Sequence, residues 1–210
     1  MIKKNWKMLL FTSLTILLPI FIGVILWNRL PEQLPIHWNA SGEIDGYSSK
    51  AFAVIGFPLI LLALHWFTVL VTLSDPKKQN HSEKILQLVF WIVPILSVVL
   101  SALMYSASMG KEIRVEIFVS VSLGLLFVAI GNYLPKCQQN YTIGLKLPWT
   151  LHSEENWNRT HRFAGWLWVG GGFLMIVTGF FGMIWLTMAV PLVMGLVPVV
   201  YSYLLHRKGI

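Results

Sequence analysis

"FAGWLWVGGGFLMIVTGFFGMIWLTMAVPLVMGLVPVVYSYLL", residues 163–205, runs for 43 residues without a charge. As one helix rising 1.5 Å per residue it would measure about 64 Å, roughly twice the hydrocarbon thickness of a bilayer. The run must therefore fold back on itself. Gly179, Phe180, Phe181 and Gly182 sit near its middle, and paired glycines there loosen a helix where a tight turn is required. Four more runs free of Lys, Arg, Asp and Glu, residues 8–27, 51–74, 85–110 and 117–135, each meet the length needed to cross a bilayer. With the last run counted twice, the sequence predicts six spans. Composition agrees: of 210 residues 56% are hydrophobic and 12% charged, with mean hydropathy +0.67, where a soluble domain carries about a quarter charged residues. The fold class is all-α, a polytopic membrane helical bundle.

Orientation follows from the basic residues, which collect on cytoplasmic segments. With the N-terminus inside, the inner segments hold Lys3, Lys4, Lys7, Lys77, Lys78, Lys84, Lys136, Lys146, Arg159, Arg162, Arg207 and Lys208, against Arg29, Lys50, Lys111 and Arg114 outside. Both termini are expected in the cytoplasm. The net charge of +7 then reads as a topology signal and an attraction to anionic lipid; the basic residues form no single soluble face of the kind nucleic acid needs, so no direct nucleic-acid partner is expected. The N-terminal "MIKKNWK" and its apolar run read as a retained first span, since "NRLPEQLP" after it offers no small-residue cleavage pattern. Cys137 is the only cysteine, which excludes an intramolecular disulfide and suits a reduced thiol on the inner side.

Two polar segments remain. In "NRLPEQLPIHWNASGEIDGYSSK", residues 28–50, Pro31 ends the first helix, Pro35 keeps the chain extended, and "NASG" and "DG" are turn formers. A small ordered hairpin or cap is expected, with His37, Trp38 and Tyr47 at headgroup level. One reading is a well-made turn between two spans; the other is an extracellular surface that meets a ligand. On the inner side, Ser153 is placed to cap a helix whose first turn holds Glu154 and Glu155. Glu155 and Arg159 are four apart, a pairing of about 0.2–0.5 kcal/mol. Pro148 biases Leu147 away from helix, and Trp149, Trp157 and Trp166 are suited to the headgroup region.

These stretches carry a resemblance. "LPEQLPIHWNASGEIDGYSSK", residues 30–50, resembles the module of unassigned function that often precedes the SdpI-type membrane domain. "GNYLPKCQQNYTIGLKLPWTLHSEENWNRTHRFAG", residues 131–165, is similar to the SdpI family signature: GN closing a span, then N, GL with a basic residue, PWTL, W, and T-H-R leading into the next span. The resemblance divides the chain into a two-span module, 1–75, with its extracellular cap, 28–50, and a four-span SdpI-like module, 76–210, with a cytosolic segment, 136–162. It implies a multi-pass protein of the bacterial cytoplasmic membrane, immunity to a secreted antibacterial peptide toxin, and a receptor role that holds a soluble repressor at the membrane. The lipid bilayer, the toxin and the cytosolic repressor are then the partners. Candidate toxin contacts in the cap are His37, Trp38, Asn39, Gly42, Asp45, Gly46, Tyr47 and Lys50. Candidate docking residues are Asn132, Asn140, Gly144, Lys146, Pro148, Trp149, Thr150, Glu155, Trp157, Thr160, His161 and Arg162, with the alternative that the segment only scaffolds two spans.

Enzyme chemistry finds no motif. HExxH, a G-x-S-x-G elbow and a Gly-rich phosphate cradle are all missing, and Glu155 and His161 fall on poorly aligned helical faces for a metal shared with His152. No catalytic residue, metal or cofactor is expected. "VGGGF", residues 169–173, reads as a close helix-packing face. The rival function is small-solute or proton-coupled transport, with His65 the one titratable group deep in a span; a neutral His65 bonded across to a Ser or a backbone carbonyl is the structural alternative.

Overall fold

A computed structural model describes residues 2–39 and 41–210. Ala40, within the 28–50 segment, lies outside the described residues. Seven helices appear among them: α1 (Ile2–Ile25), α2 (Phe57–Leu73), α3 (Glu83–Ser108), α4 (Val115–Tyr133), the short α5 (Pro148–His152), α6 (Glu154–Phe180) and α7 (Ile184–Arg207). All but α5 are long and apolar enough to cross a membrane. Between α1 and α2 stand two antiparallel strands, β1 (Gln33–Trp38) and β2 (Ile44–Ser49), and a π-helical turn, Phe52–Gly56, leads into α2. The 163–205 run breaks where its glycines fall. Gly182 adopts φ +68°, and the amide of Met183 closes back on the Thr178 carbonyl at 3.0 Å. Gly179 stays in the helix.

The chain forms two compact units. The first comprises Met1–Leu73 with Gln87–Val115, the second Ser74–Leu86 with Glu116–Ile210, so the division falls inside α3. In the first unit the base of the hairpin is built into a core. Leu30, Leu34, Ala53, Val54, Met104 and Tyr105 are buried together, with Trp27 and Trp38 packed on them. Deeper, His65 is fully buried and its Nε2 lies 2.9 Å from Thr12 Oγ1. The Thr12 hydroxyl hydrogen already has the Met8 and Leu9 carbonyls to serve, so His65 Nε2–H is the donor to Thr12. Next to it the Trp66 indole donates to Ser13 at 3.1 Å. A threonine, not a serine or a carbonyl, is thus the partner of the intramembrane histidine.

The second unit is organised by glycines. A Cβ on Gly172 would lie 2.6 Å from the Gly124 carbonyl, and one on Gly124 would lie 2.6 Å from the Gly172 carbonyl. Seven residues along each helix, a Cβ on Gly131 would meet the Gly165 carbonyl at 2.9 Å and one on Gly165 the Gly131 carbonyl at 2.8 Å. Two antiparallel helices, α4 and α6, therefore pack backbone on backbone at two levels, which only small residues permit. The three glycines of "VGGGF" divide by direction. Gly172 faces α4, Gly171 faces Met194 and Val190 of α7, and Gly170 faces open space. Buried hydroxyls of Ser120, Thr178 and Thr187 link α4, α6 and α7, satisfying polar groups where water is excluded.

Candidate functional site

In the hairpin, Asn39 shapes the turn. Its Oδ1 accepts from the amides of Ser41 and Glu43 at 2.9 and 3.0 Å, an Asx arrangement, and Gly42 takes φ +79°. Gly46 opposes His37 in the register, and a Cβ there would sit 2.8 Å from the His37 Cβ. Lys50 points inward although charged: it is 7% exposed, and its Nζ donates to the Trp27 carbonyl at 3.2 Å and to Glu32 Oε1 at 3.0 Å. Trp38 is half-buried on the core. Of the eight cap candidates, then, Asn39, Gly42, Gly46, Trp38 and Lys50 build the hairpin, and His37, Asp45 and Tyr47 face out. His37 Nδ1 is paired with Asp45 Oδ1. Ile36 and Ile44, not among those candidates, are exposed beside them.

The second site is the connection from α4 to α6. Its centre is Asn140, fully buried. Oδ1 accepts from the amides of Thr142 and Ile143 at 2.9 and 2.6 Å, and Nδ2 donates to the carbonyls of Gln138 and Ile143 at 2.9 and 3.0 Å. One side chain thus satisfies the backbone of a loop that has no regular structure to do so. Trp157, 0% exposed, donates to the Cys137 carbonyl at 2.7 Å and stacks on His161 with centroids 4.0 Å apart. The Leu145 amide donates to His161 Nε2 at 2.9 Å, so Nδ1 carries the hydrogen given to the Trp157 carbonyl at 2.8 Å. Gly144, at φ +110°, leaves room for this: a Cβ would fall 2.3 Å from His161 Nε2. Thr150 Oγ1 receives the Leu147 amide at 2.9 Å and donates to the Leu145 carbonyl at 2.9 Å.

Beside this loop Trp149 donates to Ser202 Oγ at 2.7 Å, Ser202 to Asn156 Oδ1 at 2.7 Å, and Thr160 to the same oxygen at 3.1 Å. Ser153 caps α6, accepting from the Asn156 amide at 3.1 Å, and Arg159 pairs with Glu155 at 2.6 Å. Asn140, Thr150, Trp157, Thr160 and His161 are buried, Gly144 and Trp149 half-buried, and Asn132, Lys146, Pro148, Glu155 and Arg162 exposed. The structure therefore gathers most of the signature inside the loop and leaves five of its members for contact with anything else.

Residues 74–82 supply what the motif reading lacked. Asp75, 2% exposed, accepts from the Lys77 amide at 2.7 Å, the Tyr141 amide at 2.9 Å and the Thr142 hydroxyl at 2.8 Å. His81 Nε2 lies 3.5 Å from the same carboxylate, and Asn80 donates to the Gln139 carbonyl at 2.6 Å. An acid before a proline at the end of a span, "SDP", is the local signal for such a turn. Burial pushes the Asp75 carboxyl up, but the Thr142, Lys77 and Tyr141 donors and His81 outweigh it and hold it below its usual range. Burial also lowers His81, against the pull of Asp75. A His81 that folds with a lowered pKa adds stability above about pH 6.5 and loses it as pH falls from there; Asp75 withdraws its share only below about pH 4. Tm in detergent is therefore expected to fall between pH 7.5 and 5.5, and His81→Phe is expected to flatten that fall. Cys137 lies under the loop, its thiol pushed up to about 11 by burial, with the Asn140 amide pulling weakly the other way.

Residues 136–202, which contain this loop, match the SdpI/YfhL protein family, and residues 14–62, which contain the hairpin, match a domain of unknown function, DUF1648. Over residues 136–202 the chain is similar to the SdpI/YfhL family. It is similar to Immunity protein SdpI of Bacillus subtilis (strain 168), 28% identical over 179 residues that cover 85% of this chain and 83% of that protein. No solved structure matches. With six membrane-length helices and these similarities, the chain is a multi-pass bacterial membrane protein. Its SdpI/YfhL match begins at Lys136 and takes in the loop, α5, α6 and most of α7.

Proposed function

We propose that the protein is an immunity protein that shields its cell from a secreted antibacterial peptide, acting by binding and not by catalysis. The observation that carries this is the similarity to an immunity protein across both modules, hairpin and loop together. Six membrane-length helices and the distribution of Lys and Arg support an extracellular 28–50 hairpin and cytoplasmic segments at 74–82 and 134–153. The toxin meets Ile36, His37, Ile44, Asp45 and Tyr47, a mixed apolar and charged surface on a hairpin held rigid by Lys50 and the core beneath it. A rigid platform limits the ordering cost of binding.

The receptor role is supported by a groove of about 400 Å³ beside Trp149, lined with Pro148, His152, His206 and Ile210, and by exposed Lys146 and Glu155. A cytosolic repressor docks there. Such signalling needs two states of the loop with different repressor affinity. The test is survival. A sensitive strain given this chain is exposed to concentrated secreted peptides from the bacterium that encodes it. Protection by the native chain, lost in Ile36→Ala/Tyr47→Ala at equal membrane abundance and kept in Lys146→Ala/Glu155→Ala, supports the reading. No difference between cells with and without the chain refutes it, and loss of proton or solute flux in His65→Ala proteoliposomes favours transport.

A further inference from the structure

Arg162 is the last charge on α6 before the 43 uncharged residues that follow it, so it marks where the helix passes from water into hydrocarbon. It is exposed, and among the described residues no hydrogen bond or ion pair engages its guanidinium. Its neighbour Arg159 is neutralised by Glu155 at 2.6 Å. Arg162 lines a groove of about 590 Å³ between Glu154, Glu155, Asn158 and Arg159, which precede it on α6, and the aromatic rings of Phe163, Trp166 and Tyr201. Asn158 and Trp166, four residues to either side, share its helical face. Trp166 is 75% exposed, and Phe163 stacks on Tyr201 with centroids 4.5 Å apart, giving the groove a flat apolar floor. Glu154, eight residues before Arg162, lies about 12 Å away along the helix axis, which leaves the Arg162 end positive.

We propose that this groove is a binding site for an anionic phospholipid. The phosphodiester sits on the Arg162 guanidinium, whose planar fork suits two phosphate oxygens; the Asn158 amide reaches the headgroup, and an acyl chain lies along Phe163, Trp166 and Tyr201. An acidic protein segment would match the charge but not the apolar floor, which continues toward the hydrocarbon side of the arginine. A bound lipid there would fix the start of α6, and with it Trp157 and His161, independently of what the protein protects against.

The full chain in neutral detergent is titrated with phosphatidylglycerol, phosphatidylcholine or inorganic phosphate and read by native mass spectrometry. The expected result is one phosphatidylglycerol retained about tenfold more strongly than phosphatidylcholine, the difference lost in Arg162→Gln, partly kept in Arg162→Lys and unchanged in Lys146→Gln, an exposed cation outside the groove. Unaltered Tm of Arg162→Gln in phosphatidylcholine shows that the variant is folded; if it is not, Trp166→Ala, which removes only the wall for the acyl chain, is read instead. Equal retention of both lipids, retention unaffected by the substitutions, or equal occupancy by inorganic phosphate overturns the proposal. So does loss of a cytosolic protein partner from Arg162→Gln with lipid retention intact.

Discussion

Gly172→Leu is expected to destabilise the protein by about 3 kcal/mol or more, and Gly170→Leu, two positions away in the same helix, by nearly nothing. The contrast comes from direction. At position 172 even a Cβ would stand 2.6 Å from the Gly124 carbonyl and 2.9 Å from the Val128 amide, both backbone atoms that cannot rotate away. The α4–α6 pair must open, and the hydroxyl links of Ser120 and Thr178 to Thr187 are pulled with it. At position 170 nothing lies within 4 Å, so an apolar side chain enters lipid, and replacing a helical glycine recovers up to about 1 kcal/mol of propensity. Unfolding in a graded detergent or by heat measures both. Similar losses at 170 and 172 would show that α4 and α6 do not meet through their glycines.

Trp157→Ala is expected to cost about 3–5 kcal/mol and to open the loop beneath it. Trp157 is fully buried, stacks on His161 and satisfies the Cys137 carbonyl; its loss leaves a cavity, an unpaired carbonyl and a histidine without its wall. Cys137 reports the outcome. Buried, with its thiol pKa near 11, it reacts slowly with a maleimide in the native protein, and the rate is expected to rise by at least about tenfold in Trp157→Ala, while Trp166→Ala leaves it unchanged. Equal rates would mean that Trp157 is a lipid anchor and not the pillar of the loop.

Much of this architecture is legible in the sequence. Span count follows from the length of 163–205, and its turn falls at Gly182, inside the glycine-bearing stretch that marked it. The hairpin's turn follows from Asn39 and Gly42, whose local chemistry is turn chemistry, whereas Asp45 and Gly46, which read equally as turn formers, lie within β2 where the ladder with β1 is irregular. Ser153 and the Glu155–Arg159 pair obey rules that reach only three or four residues. What the sequence hides is which residues of the inner motif face inward. Asn140, Thr150 and Trp157 are polar or aromatic, at home equally at a headgroup surface or in a core, and their burial is decided by partners far along the chain. Asp75 reaches Tyr141 across 66 residues, and Asn156 reaches the Ser202 carbonyl across 46. Lys50 misleads for a similar reason, since a lysine near a turn reads as exposed until the Trp27 carbonyl and Glu32 are seen around it.

The account depends on the hairpin and the Asn140 loop facing opposite compartments, and thiol labelling tests that directly. Cys137 is the only native cysteine and is buried, so a single cysteine at Glu43 or at Gln138, both exposed, can be read against a quiet background. In intact spheroplasts a membrane-impermeant maleimide is expected to label Glu43→Cys at once and Gln138→Cys only after permeabilisation. Labelling of Gln138→Cys from outside, or of both positions alike in sealed cells, would contradict the six-span topology and the separation of toxin-facing and partner-facing surfaces built on it.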